Sequence, residues 1–139
     1  MAEVRTWNDN ALRDLLESAR VIAVVGMSDN PSRASYQIGR YLKRIGYTVY
    51  PVNPTLTEIE GDKVYATLAD VPEPIDIVDV FRRPEFLSGV VDEALVVGAK
   101  AVWAQLGISD EDAARKAAAA GVPIVMDRCI KVDHARLLG

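Results

Sequence analysis

The sequence predicts an α/β protein with a three-layer Rossmann-like fold around a five-stranded parallel sheet. Five short runs, VIAVV, YTVYPV, IDIVDVF, KAVWAQ and VPIVM, are rich in β-branched residues and apolar on both faces, as buried parallel strands are. Stretches with apolar residues at helical spacing alternate with them, which is the pattern of βαβ units. Right-handed crossovers then give one sheet with helices on both faces.

Leu12, Leu15, Leu16 and Ala19 form a stripe that predicts a helix over residues 9–19. The strand Val21–Val25 follows and Gly26 ends it. Ile38, Tyr41, Leu42 and Ile45 share a helix face, with Gly46 placed for a left-handed C-cap. A strand over 47–52 stops at Asn53-Pro54, and a loop to about Val71 holds a short helical turn near 67–69. The strand at 75–81 leads to a helix that starts at Pro84 and runs through Leu87, Val90, Val91 and Ala94 to Gly98. After the strand at 100–105, Ser109 with Asp112 reads as a capping box for an alanine-rich helix ending at Gly121. A strand over 122–126 and a short helix over 132–138 complete the chain.

One domain over 1–139 is expected: the length suits a single core, and no repeat, low-complexity tract or linker interrupts it. A net charge of −4 argues against a broad nucleic-acid surface, while leaving room for a small phosphate site. Cys129 is the only cysteine, which excludes an intramolecular disulfide and points to a reducing compartment. The first residues lack the apolar core of a signal peptide, and no apolar run approaches the roughly 20 residues of a membrane helix. A cytoplasmic protein without membrane or nucleic-acid partners is the expectation.

Ligands of open α/β sheets bind beyond the carboxyl ends of the strands. Gly26, Met27 and Ser28 lie there after the first strand, with Arg33 closing the loop, and Asn53-Pro54 follows the second. Phe81, Arg82 and Arg83 follow the third, Gln105, Leu106 and Gly107 the fourth, and Asp127, Arg128 and Cys129 the fifth. Arginines stand at three of these five places in an acidic chain, which points to an anionic ligand. Gly26 admits a close backbone approach, the next helix offers free N–H groups, and Arg33 adds a fork of donors. The dinucleotide pattern G-x-G-x-x-G is not met, since Ser28 and Pro31 occupy glycine positions. Asn53 stands in the region of the ribose carboxylate, which disfavours NAD.

The segments VIAVVGMSDNPSR, GYTVYPVNP, IDIVDVFRRP, GAKAVWAQLGI and DRCIKVDHARLL resemble small stand-alone CoA-binding proteins related to the CoA-binding domain of the succinyl-CoA synthetase α subunit. The resemblance implies coenzyme A as ligand, with its phosphates on the loop from Gly26 to Arg33. It implies Val52, Asn53 and Pro54 beside the adenosine, and Phe81, Arg82, Ala104, Gln105 and Leu106 beside the remainder. The first loop lacks the synthetase's extra glycine, so individual contacts can differ. His134 does not match the synthetase phosphohistidine, which lies in a further domain.

No catalytic or metal site is expected. Cys129 and His134 are five residues apart without an orienting third group, and one Cys with one His cannot complete a zinc site. Both read as structural, with Cys129 a small buried hydrophobe. Asp76 and Asp79 read as strand-edge or turn acids, Trp103 as core, and Arg136 as solvated. The expected function is a CoA or acyl-CoA carrier, sensor or partner module, with a protein partner open. The alternatives are a small enzyme acting on an acyl-CoA or a dinucleotide-dependent protein, and an interaction domain that keeps only the fold.

Overall fold

The computed structural model describes residues 7–139, so the first six residues, on which the leader reading partly rests, lie outside the described part. Asn8 caps α1 (Asp9–Ser18), its side chain accepting the Ala11 N–H at 2.8 Å. β1 (Val21–Val25) is buried at every residue. α2 (Ala34–Arg44) stops just ahead of Gly46, whose φ of +112° is the expected left-handed turn, and β2 (Thr48–Val52) follows. The chain then forms a small antiparallel hairpin from β3 (Glu58–Ile59) and β4 (Asp62–Lys63), and a 3₁₀ turn at Leu68–Asp70. β5 (Ile77–Val80), α3 (Pro84–Val96), β6 (Ala101–Ala104), α4 (Glu111–Ala119), β7 (Ile124–Val125) and α5 (Ile130–Leu138) complete the order.

The main sheet is parallel throughout, in the order β2-β1-β5-β6-β7. Its growth reverses between β1 and β5, and that reversal is the switch point where adjacent loops part and leave a crevice. Alternate residues feed two cores. Ala23, Val25, Val78, Val80, Val102 and Ala104 face Leu87, Val91, Ala113 and Ala117 of α3 and α4. On the other face Ile22, Val24, Ile77 and Trp103 meet Leu12, Leu16, Ile38, Leu42 and Ile130 of α1, α2 and α5. Trp103 is fully buried and its indole N–H donates to the Arg128 carbonyl at 2.8 Å. Among the described residues no helix is long and apolar enough to cross a membrane.

Several local expectations differ from the structure. Asp110, rather than Ser109, caps α4, accepting the Ala113 N–H at 3.0 Å. The last helix begins at Ile130, two residues early, and the later strands are shorter than their apolar runs. The β3–β4 hairpin escaped prediction because two-residue strands carry no readable alternation. Charge holds it in place: Arg40 and Lys43 of α2 both reach Asp62 at 2.8 Å, and Arg40 also donates to the Ile59 carbonyl at 3.1 Å.

Asp76 is the strand-edge acid expected, whereas Asp79 is not. Asp76, just before β5, accepts the backbone N–H groups of Arg20 and Val21 at 2.8 and 2.9 Å and pairs with Lys100 at 3.3 Å. Burial pushes its carboxyl up, but these donors outweigh burial and hold it below the usual range. Asp79 lies inside the central strand, in register with Val24 and Trp103, and is fully buried. Both of its carboxylate oxygens lack a hydrogen-bond partner. Burial alone pushes its carboxyl well above the ordinary range.

The folded chain therefore retains a proton on Asp79 that the unfolded chain releases above about pH 3.9. Asp79 should make stability fall as pH rises through that value, levelling only above the raised pKa. Asp79→Asn keeps the shape and cannot ionise. It is expected to be more stable than the wild type in urea titrations at pH 8, where the wild type must hold a proton that its unfolded chain has released, with the gap narrowing toward pH 4. A wild type more stable than the variant at pH 8 would mean that the carboxylate has a partner.

Candidate functional site

At the switch point the ends of β1 and β5 touch through Gly26. Its N–H donates to the Val52 carbonyl at 2.8 Å and its φ is +87°, a conformation suited to glycine. A Cβ on Gly26 would lie 2.8 Å from the Phe81 carbonyl oxygen and 3.3 Å from Arg82 Cδ. The side chain of Arg82 thus runs over the glycine, and the first and third strand ends form one surface. Asn53 brings in the second strand: its amide donates to the Met27 carbonyl at 3.1 Å, and its oxygen accepts the Thr55 N–H and hydroxyl at 2.9 and 2.7 Å.

The loop from Gly26 to Arg33 is shaped by its own polar groups. Ser28 N–H donates to Ser35 Oγ at 2.9 Å, Asn30 Oδ1 accepts the Ser32 N–H at 3.0 Å, and Arg33 N–H reaches the Asn30 carbonyl at 3.0 Å. α2 begins with no side-chain cap, so the positive end of its dipole faces outward. Among the described residues the exposed Arg33 side chain makes no ion pair or hydrogen bond, and the half-buried Arg82, 4.8 Å over the Phe86 ring, pairs with no carboxylate. Arg83 has only a loose pair with Glu85 at 3.8 Å.

Not every strand-end arginine has this freedom. Arg128 donates twice to Asp133, at 2.7 and 2.9 Å. Burial raises the Asp133 carboxyl, but Arg128 and Arg136 outweigh it and hold it low. Arg136 is exposed, as expected, but it pairs with Asp9 at 2.9 Å as well as with Asp133 at 3.1 Å, so it is not a free arginine. The exposed Arg44 fits that description, with no ion pair among the described residues.

The remaining strand-end residues divide by exposure. Met27, Val52, Ala104 and Gln105 are buried, and Met27 packs against Gly39 of α2. Ser28, Asn53 and Phe81 are half-buried, and Pro54 and Leu106 are exposed. Next to Phe81 opens a cavity of about 280 Å³ lined by Ala34, Ile38, Phe81, Gln105, Leu106, Ile108 and Cys129. Cys129, half-buried, packs against the core of Ile22, Trp103 and Ile130 and also lines that cavity. His134 lies elsewhere, against Tyr41 and Tyr47 in a cavity at the opposite end of the sheet, where burial lowers its pKa. No hydrogen bond joins the thiol to the imidazole. Among the described residues no group of three or more His, Cys, Asp or Glu is placed to hold a metal.

Sequence reasoning overlooked the residues that fix the cavity wall. Asp127, with φ of +57°, accepts the Gly107 N–H at 2.6 Å and donates its own N–H to the Ile108 carbonyl at 3.1 Å. An acid directly after a strand was the available signal. Ala34, Ile38 and Ile108 carry no such signal, because apolar residues in helices and loops are ordinarily packing.

Residues 20–135 match a family model described as CoA binding domain. The protein YneT of Bacillus subtilis is 43% identical over 124 residues, covering 89% of this chain and 92% of that protein. A solved structure of a protein from Pyrococcus horikoshii OT3 superposes with a TM-score of 0.93 at 39% identity, covering 100% of both chains. The α subunit of the ADP-forming acetate–CoA ligase II of Pyrococcus furiosus is 28% identical over 89% of this chain, which spans 30% of that subunit.

The contact between Gly26 and the Phe81 carbonyl has a consequence for stability. Gly26→Ala should lower unfolding free energy by about 1–3 kcal/mol, through strained backbone and the displaced carbonyl, measured by urea titration without ligand. An unchanged midpoint would show that the loop relaxes freely. A valine there would lose stability as well, so it cannot isolate ligand approach from folding.

Proposed function

The chain belongs to the CoA-binding domain family, and from this premise we propose that it binds coenzyme A or an acyl-CoA along the C-terminal edge of its sheet as a non-catalytic carrier, sensor or partner module. The observation that carries this reading is Arg82: a half-buried guanidinium, paired with no carboxylate among the described residues, laid over Gly26 at the switch point. A cation in that setting suits a phosphate, because a charge-assisted bond gains strength where water is partly excluded. Arg33 and the uncapped start of α2 supply further donors on the same edge.

The residues present fit the group. The polar half, from Ser28 to Arg33 with Arg82, matches phosphates, and the apolar cavity beyond Phe81 matches the other end of a CoA molecule. The single domain over residues 1–139 is part of the same proposal. The similarity to the ligase α subunit makes a protein partner for the loaded module reasonable. The separation of Cys129 from His134 speaks against a thiol–imidazole enzyme.

Calorimetry on three single variants tests the assignment. Arg33→Ala and Arg82→Ala should each weaken CoA binding by roughly 1.5–3 kcal/mol, the worth of a hydrogen bond to a charged group, whereas Arg44→Ala should bind like the wild type. A residue serving the 3′-phosphate loses affinity for CoA but not for dephospho-CoA, and one serving the pyrophosphate loses it for both. Wild-type affinity in both Arg33→Ala and Arg82→Ala, or tighter binding of NAD than of CoA, would overturn the proposal.

A further inference from the structure

We propose that the cavity beside Phe81 selects thioesters with a short, uncharged acyl chain over both free CoA and dicarboxylic acyl-CoA; the inference rests on the CoA reading above. The cavity opens on the ligand edge between the first turns of α2, the β6–α4 loop and the start of α5. Its lining is Ala34, Ile38, Phe81, Gln105, Leu106, Ile108 and Cys129, without a single charged side chain. A terminal carboxylate such as that of a succinyl group would lose hydration there and find no counter-charge.

Size and polarity agree with a short acyl group. A recess of about 280 Å³ lies at the small end of the range for ligand pockets, which suits a short chain beyond the cysteamine end and not a long one. The lining has one polar side chain with donors to offer. Gln105 is 4% exposed and its Oε1 is fixed by the Ile130 N–H at 3.2 Å. Its two amide N–H donors make no hydrogen bond among the described residues. A thioester carbonyl is an acceptor of the kind they lack, whereas a free thiol leaves both the donors and the apolar walls unserved. Asp127 holds the loop that carries Gln105, Leu106 and Ile108, so the walls are set before a ligand arrives.

The test is calorimetry of the full chain with CoA, butyryl-CoA and succinyl-CoA. Butyryl-CoA is expected to bind at least about tenfold tighter than CoA, and succinyl-CoA no tighter than CoA. Leu106 is 71% exposed at the cavity mouth, so Leu106→Lys adds a cation there without disturbing the core. That variant should reverse the order, with succinyl-CoA gaining on butyryl-CoA. If CoA binds but butyryl-CoA is no tighter, or Leu106→Lys leaves the order unchanged, the acyl inference is overturned and the CoA reading stands. If CoA and both thioesters fail to bind, both are overturned.

Discussion

The close approach of Gly26 to the Phe81 carbonyl is the constraint from which the C-terminal edge of the sheet takes its shape. Two adjacent parallel strands, β1 and β5, end side by side, and the chain leaves them in different directions, one into α2 and the other into α3. A side chain on Gly26 would press on the Phe81 carbonyl and on the stem of Arg82. Its absence lets the two turns share one surface. Arg82 can then lie across the first loop, half shielded by Phe86, and Asn53 can reach over to the Met27 carbonyl. A backbone contact thus assembles polar groups that are far apart in sequence.

The placement of charge follows from what each group can find. Asp76 meets two backbone donors and a lysine, and Asp133 meets two arginines; both remain ionised and tie elements together. Arg40 and Lys43 are drawn to Asp62 and fasten the hairpin to α2. Those acids are taken up by other cations, and among the described residues Arg33 and Arg82 stand at the C-terminal edge of the sheet without an ion pair. Asp79 differs from Asp76 and Asp133: it is buried between Val24 and Trp103 with no hydrogen-bond partner among the described residues, and it lowers stability instead of raising it.

The two halves of the edge are built by different physics. On the side proposed for the phosphates, short polar loops satisfy one another through Ser28, Asn30, Ser35 and Asn53, so the backbone is ordered on its own. On the cavity side, mostly apolar residues from four segments leave a gap that none of them is large enough to close. Polar pre-organisation and an apolar recess on one edge suit a ligand whose ends differ as sharply as the phosphates and thioester of an acyl-CoA.

By itself the sequence determined the layered α/β class and the position of every strand in the parallel sheet. Burial on both faces writes itself into runs such as VIAVV, and helical spacing repeats over several turns. It also marked the residues at the strand ends, since that follows once the strands are known. The hairpin at Glu58–Lys63 was beyond it, because each strand is two residues long and the hairpin is held by partners on α2. So was the distinction between Arg82, which is free, and Arg128, which Asp133 holds, because nothing in either arginine's local sequence states whether an acid will be folded against it. Asp79 and Asp76 are three residues apart in one apolar run, yet one is isolated and the other is bound by three donors. Periodicity reports which face a residue takes along its own element. Which group stands opposite it is set by the neighbouring strand or helix, and that only the tertiary structure decided.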